Sequence, residues 1–334
     1  MKKRMSRKIL LAVVLVLALL IAAASFVITG WINREEEERS YELLSEETER
    51  LAGEIRTEIR GDTENLRMLA AVIAAEDTDL TSPEVRSLLG AYSTLGMISR
   101  VELLLPDDTV VTKSGQSDAS GVLSFSEEAA KGVHVSRRET DPDNGGKYIL
   151  RSYVPVEKDG ETVAMLYGVI EPGTLPGEMA AEPYGGEAAV YIIEGQTGDF
   201  LVDTWHNEAG GNIWALGERK MAPGYNHEQL KAGMTEGKTG YVVFVSDTTG
   251  EYLYFYYEPV GINDWQLALS VPEKVVFENA ERIRLGMNLY LVFETVCFVI
   301  GVLWIFRYMR MKKMFQWLWR ELHVSLRRNQ YPCG

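Results

Sequence analysis

The sequence predicts an α+β protein: two similar sheet-bearing units in tandem behind a long N-terminal helix, with a membrane-spanning helix at either end. Three observations carry this. Tyr148–Pro172 (YILRSYVPVEKDGETVAMLYGVIEP) reads as two strands around a Lys158-Asp159-Gly160 turn. Tyr252–Pro272 (YLYFYYEPVGINDWQLALSVP) repeats it, with Tyr148, Tyr153, Pro155 and Val156 falling on Tyr252, Tyr257, Pro259 and Val260 at an offset of 104. Two apolar runs, Ile9–Ile28 and Leu285–Phe306, each suit a bilayer core of roughly 30 Å.

The first run is preceded by Lys2, Lys3, Arg4, Arg7 and Lys8, and Glu35–Glu38 follow it. The positive-inside rule then puts residues 1–8 in the cytoplasm and 9–28 across the membrane. Ala22-Ala23-Ala24-Ser25 also fits a signal-peptide cleavage site, although the run exceeds the usual apolar core of such a peptide. Residues 31–75 read as one helix. Its apolar stripe runs through Tyr41, Leu44, Leu51, Ile55, Ile59, Leu66, Leu69 and Ile73, with intervals of three and four once Thr48 and Asp62 are admitted. Such a stripe suits packing on the helix's own domain, or on a twin in a homodimer. A helix of this size spans about 68 Å at 1.5 Å per residue, more than one small unit.

Thr81-Ser82-Pro83-Glu84 caps a second helix reaching about Leu95. Strands follow at Arg100–Leu105 and Thr109–Lys113, then a loop over Gln116–Gly121 and a short helix over Phe125–Lys131. A strand at His134–Arg138, a turn at Asp141–Gly146 and the hairpin complete the membrane-distal unit, residues 76–175. The membrane-proximal unit, residues 176–273, has the same order. Its strands are Ala188–Ile193, Phe200–Asp203, Gly240–Ser246, Tyr252–Pro259 and Trp265–Val271, with a helical or looped stretch over Asn212–Gly233. Residues 274–306 read as a helix that runs unbroken from Lys274 into the second span, with Glu294 inside that span. A carboxyl there either bonds to a neighbouring helix, at Thr29 or Ser25, or makes a dimer or signalling contact. The cluster Arg307–Lys313 puts residues 307–334 in the cytoplasm too, so residues from about 30 to 284 face outward.

The formal net charge is −14. With the basic termini set aside, about −25 remains on the middle of the chain, which argues against nucleic acid as a partner. That field favours a cationic or neutral ligand, although a local arginine overrides it. Both cysteines, Cys297 and Cys333, lie in or after the second span, so the middle has no disulfide.

This pattern resembles the double Cache sensor domain found outside the membrane in bacterial chemoreceptors, sensor kinases and diguanylate cyclases. The residues that carry the resemblance are VELLLPDDTVVTKSG, KYILRSYVPVEKDGETVAMLYGVIEP and YLYFYYEPVGINDWQLALSVPE, over about residues 30–284. It implies two PAS-like units, a small-molecule ligand in the distal one, and a homodimer in the lipid bilayer. The family's amino-acid-binding members carry an aromatic–Arg–Trp–Tyr cluster before the distal hairpin. Here that region reads VHVSRRETDPDNGGKYILRSY and the distal unit has no tryptophan, so no binding residue is carried over from that subgroup.

From the residues themselves, Arg138, Tyr148, Arg151, Tyr153 and Tyr167 are the polar-aromatic candidates for a distal pocket, arginine suiting carboxylate or phosphate by its forked donors. Strand alternation places Arg151 and Tyr153 on one face and Tyr148 on the other, so all five do not line one cavity. Arg151 also suits a surface ion pair, and the tyrosines of Tyr252–Tyr257 suit sheet core. His134, His206, His227 and His323 lack metal-ligand spacing, and no GxSxG or phosphate loop is present, so neither an enzyme nor a cofactor is expected in this chain. A receptor of this kind passes its signal to a cytoplasmic output domain. The 28 residues after Phe306 are too few for one, which points to a truncated receptor or, alternatively, to a membrane-anchored binding or scaffolding protein with no output of its own.

Overall fold

The computed structural model describes residues 7–76, 78–92, 96–141, 145–172, 184–205, 211–215, 219–246 and 249–329. The chain forms two compact units, Met1–Glu38 with Phe277–Gly334, and Arg39–Val276. In the first, helix α1 (Arg7–Ala75) contains the run 9–28 and continues without a break into the stripe expected from residue 31. Helix α6 (Glu278–Asn329) carries an apolar stretch, Leu285–Leu322, long enough to cross a bilayer.

In the second unit, α1 lies against two antiparallel sheets. Its stripe is buried as the spacing requires: Leu44, Leu51, Ile55, Ile59, Leu66, Leu69 and Ile73 are at most 4% exposed, and the polar members Thr48 and Asp62 are buried with them. Thr48 satisfies its hydroxyl internally, donating to the Leu44 carbonyl at 2.6 Å. Asp62 accepts from the Met97 amide at 2.8 Å. The loop carrying that amide closes tightly on the carboxylate: Gly96 has φ +52°, and a Cβ there would lie 2.3 Å from Asp62 Oδ1. Burial, partly offset by the Met97 hydrogen bond, pushes the Asp62 carboxyl up to about 6.

The distal sheet contains β1 (Ile98–Leu104), β2 (Thr109–Thr112), β3 (Gly115–Asp118), β4 (His134–Val135), β5 (Glu139–Thr140), β6 (Tyr148–Lys158) and β7 (Glu161–Ile170), in the order β3-β2-β1-β7-β6-β4 with β5 also on β6. Helix α2 (Pro83–Ala91), capped by Ser82 Oγ accepting from the Val85 amide, precedes it, and α3 (Phe125–Lys131) lies between β3 and β4. The β6–β7 turn uses Asp159 and Gly160 at φ +55° and +84°, the left-handed pair that a two-residue hairpin loop requires. The proximal sheet contains β8 (Ala189–Glu194), β9 (Phe200–Asp203), β10 (Gly240–Val245), β11 (Tyr252–Pro259) and β12 (Trp265–Pro272), in the order β10-β11-β12-β8-β9, with α4 (His227–Thr235) above it. Reading β4-β6-β7-β1-β2 against β10-β11-β12-β8-β9 gives one strand order twice, as the internal repeat implies.

Several local expectations are corrected. Gln116–Gly121 is not all loop: it opens in the edge strand β3, where Gln116 pairs with Val111. An edge strand wet on both faces needs no apolar alternation, so GQSD carries no strand pattern. The strand expected at His134–Arg138 ends at Val135, before Ser136, whose hydroxyl accepts from the Arg151 amide at 2.9 Å, and a separate strand follows at Glu139–Thr140. The second helix ends at Ala91 rather than near Leu95, and residues 93–95 lie outside the described set. The turn at Asp141–Gly146 closes through the Gly146 amide on the Asp141 carbonyl at 3.0 Å, with residues 142–144 outside the described set. Finally, the helix expected to be unbroken from Lys274 is interrupted at Phe277, between α5 (Glu273–Val276) and α6. The Ser40 hydroxyl donates to the Val276 carbonyl at 3.2 Å, occupying an acceptor that a continuous helix would use itself.

Candidate functional site

The distal sheet places a polar-aromatic row across four strands. In register, Glu102 on β1 faces Tyr167 on β7, Tyr167 faces Tyr153 on β6, and Tyr153 faces His134 on β4. Alternation keeps this row on the face away from α1, beneath α3, whose Phe125 and Ala129 pack on it. Arg151, two residues before Tyr153, shares the face.

These side chains are interlocked. Tyr167 donates to Glu102 Oε2 at 2.7 Å, and Arg100 donates to Glu102 Oε1 and Asp141 Oδ2, both at 2.8 Å. The His134 ring stacks on Tyr153 at 4.8 Å, with Nδ1 on the Gly132 carbonyl and Nε2 on Glu128 of α3. Tyr153 and Tyr167 lie 5.1 Å apart, and the Arg151 guanidinium sits over the Tyr167 ring at 5.6 Å. Arg151 Nη1 pairs with Glu139. Burial pushes both phenols well above the ordinary tyrosine range.

Two donors in this cluster lack a partner. Tyr153 Oη and Arg151 Nε are buried without a hydrogen bond among the described residues. An unpaired buried donor costs about 1–3 kcal/mol.

The five residues proposed from sequence therefore divide. Arg151, Tyr153 and Tyr167 meet on one face. Arg138 and Tyr148 do not join them: Arg138 stacks on Tyr148 at 4.3 Å, donates to the Phe200 carbonyl at 2.8 Å and pairs with Asp199 at 3.2 Å, clasping the distal strands to the proximal sheet. Arg151 is itself buried and its carboxylate partner, Glu139, is one-third exposed. Sequence reasoning missed Glu102, His134, Glu128 and Glu139. The signal for Glu102 was present, a lone carboxylate inside the apolar strand VELLL. His134 and Glu128 become partners only through the α3–β4 turn. In the proximal sheet Tyr254 and Tyr257 are buried, whereas the Tyr256 phenol meets Ser45 of α1 at 2.8 Å. Glu294 lies partly exposed on α6 and its carboxyl makes no hydrogen bond among the described residues; the Thr29 side chain lies outside them. Among the described residues no three His, Cys, Asp or Glu side chains group to hold a metal ion.

No protein-family model matches the chain, and no curated protein matches it significantly. Solved structures do. The extracellular domain of a protein assigned as a histidine kinase, rpHK1S-Z16, superposes with a TM-score of 0.58 at 16% identity, covering 72% of this chain and 97% of that one. The ligand-binding domain of the Pseudomonas aeruginosa amino acid chemoreceptor PctC, in complex with GABA, gives 0.51 at 17% identity over 68% and 98%. That of the Pseudomonas fluorescens chemoreceptor CtaA, in complex with L-leucine, gives 0.52 at 16% over 72% and 97%. The fold is that of a double Cache domain. These relationships cover the long helix and both sheets, and at such identities they establish architecture and leave the ligand to the side chains of this chain.

Proposed function

We propose that this double Cache chain is the extracytoplasmic small-ligand sensor of a transmembrane receptor, with residues 76–175 as its ligand-binding unit. The observation that carries this reading is the pair of buried, unpartnered donors, Tyr153 Oη and Arg151 Nε, on the face roofed by α3. They fit a carboxylate or a similar two-oxygen acceptor, bound partly by the arginine fork. The solved neighbours support the class, since PctC and CtaA are chemoreceptor domains in complex with GABA and L-leucine. Under this reading 9–28 and 285–306 span the bilayer, both termini are cytoplasmic, and the chain works as a homodimer. A ligand-dependent rearrangement passes along α6, past Glu294, to residues 307–334.

The test is a calorimetric screen of the full chain in lipid nanodiscs against small carboxylates and amino acids, repeated on two variants. Arg151→Met should weaken any hit by about 10- to 100-fold, the worth of a charged hydrogen bond. Tyr153→Phe should weaken it less while leaving the ligand-free chain as stable or slightly more so, because the hydroxyl it removes has no partner. Hits that bind both variants as well as the parent would defeat the distal assignment.

A further inference from the structure

The proximal sheet carries a cavity on one face. It measures about 300 Å³ and lies on the face of β8, β11 and β12 away from α1. Register explains why it is open. The row matching Tyr167 and Tyr153 is not where it opens, because Tyr257 faces Ala268 there and its phenol packs over Gly233 and Gly240. Where Val169 lies between Arg151 and Arg100, the proximal sheet has Ser270 between Phe255 and Ala189, and Ser270 and Ala189 line the cavity. The small side chains leave the space and the aromatic ones wall it. Tyr191 lies 5.4 Å from Phe200 and 6.0 Å from Phe255, and Phe244 meets Phe255 edge-on at 5.5 Å.

Charge at this cavity is specific. Arg219 lines it and makes no ion pair among the described residues. Its field reaches the Tyr191 phenol, drawing down a pKa that burial and Asp203 push up. Asp203 is already engaged, accepting from the Trp205 amide at 2.9 Å, and Glu251 stands at the cavity edge. One open guanidinium favours a single carboxylate, since Lys274, the other cation of the lining, pairs with Glu187 at 3.8 Å, and Asp203 and Glu251 oppose a second anionic group. The aromatic walls demand an apolar, ring-sized body.

We propose that the membrane-proximal unit is a second binding site, for an aromatic monocarboxylate, with the ring between Tyr191, Phe200 and Phe255 and the carboxylate on Arg219. The cavity also touches Pro272 and Lys274, where β12 passes into α5, so an occupant bears directly on the segment that leads to α6. This goes beyond the distal reading and stands independently of it.

The test is isothermal titration of the full chain in nanodiscs, with empty nanodiscs subtracted, using phenylacetate, phenylacetamide and 2-phenylethylamine. Phenylacetate should bind, and the neutral and cationic analogues should bind at least tenfold more weakly. Arg219→Met, a change at a partly exposed side chain, should weaken phenylacetate at least tenfold, and Ser270→Leu should abolish binding by filling the space. Arg151→Met, in the distal unit, should leave phenylacetate binding unchanged. Circular dichroism melting of each variant reports folding. The assignment is overturned if phenylacetate does not bind by millimolar concentration, if 2-phenylethylamine binds as tightly, if a folded Arg219→Met retains full affinity, or if Arg151→Met is the variant that loses it.

Discussion

The two units of the double Cache fold share a frame and reverse its filling. Across the same strands and register, the distal row runs Glu102, Tyr167, Tyr153, His134, and the proximal row runs Tyr191, Ala268, Tyr257, Gly240. Only the tyrosine of the third position is common, and it is the residue the sequence repeat aligns. Bulk on β7 and β4 closes the distal face into a packed polar cluster, whereas on the proximal face the Tyr257 phenol fills the matching row over Gly240 and the cavity opens one step along, at Ala189 and Ser270. Backbone pairing fixes the architecture without deciding which side chains occupy the face it creates. A duplicated fold therefore does not imply a duplicated site. On the reading proposed above, the distal unit must open to admit a ligand and the proximal one is preformed.

The largest expected effect comes from giving the distal row the proximal residue. Tyr167→Ala removes a ring that is 1% exposed and takes from Glu102 one of its donors. The chain should lose about 3–5 kcal/mol, the usual cost of deleting a large buried aromatic. Urea denaturation in detergent micelles, followed by tryptophan fluorescence, measures it. A loss below about 1 kcal/mol would mean that this face is not packed as described and that the contrast with the proximal unit is unfounded.

A second contrast runs along α1. Thr48 and Asp62 are the polar members of its buried stripe, and only Thr48 satisfies itself within the helix. Asp62 is held at about 6, above its value in an unfolded chain, so the folded state holds the proton more tightly. Stability should therefore rise as pH falls from about 6 towards 4, and the ionised carboxylate should weaken the fold above pH 6. Asp62→Asn, which keeps an acceptor for the Met97 amide, should stabilise the chain at pH 7.5 by about 1–3 kcal/mol and flatten that slope. Denaturation midpoints at pH 4.5, 6 and 7.5 decide it; equal slopes in parent and variant would assign the pH dependence elsewhere.

Much of this was legible in the residues, for reasons that also mark the limit. The α1 stripe could be read because a buried helical face imposes its period, and it tolerated Thr48 and Asp62 because each has a backbone partner. The hairpins could be read from Asp159-Gly160 and the repeated tyrosines. Strand β3 could not, since a wet edge imposes no pattern, and neither could the break at Phe277, which involves a hydroxyl from Ser40, distant in sequence. At the site, alternation correctly separated Tyr148 from Arg151 and Tyr153. It could not distinguish Arg138, which lies between β4 and β5 and clasps the two sheets, from Arg151, which is buried on β6, because partners distant in sequence decide both. The proximal cavity was invisible for a plainer reason: the small residues that leave it open are Ala189 and Ser270, and small residues signal nothing until their neighbours are known.

The finest contrast concerns the shared tyrosine. In the distal unit Tyr153 stacks on His134; in the proximal unit Tyr257 extends over two glycines, and a Cβ at Gly233 of α4 or Gly240 of β10 would lie 2.2 or 2.5 Å from its hydroxyl. Alanine in a helix normally gains about 1 kcal/mol over glycine. At Gly233 the clash should reverse that sign, so that Gly233→Ala destabilises by about 1–2 kcal/mol. Removing the hydroxyl alone leaves the ring carbon at 3.3 Å, a contact small adjustments absorb. In a Tyr257→Phe background, Gly233→Ala should therefore become neutral or stabilising. A double-mutant cycle on denaturation midpoints measures the coupling directly. If Gly233→Ala destabilises equally in both backgrounds, the glycine serves the helix and not the tyrosine, and the small residues above the proximal sheet owe nothing to the ring that its repeat preserves.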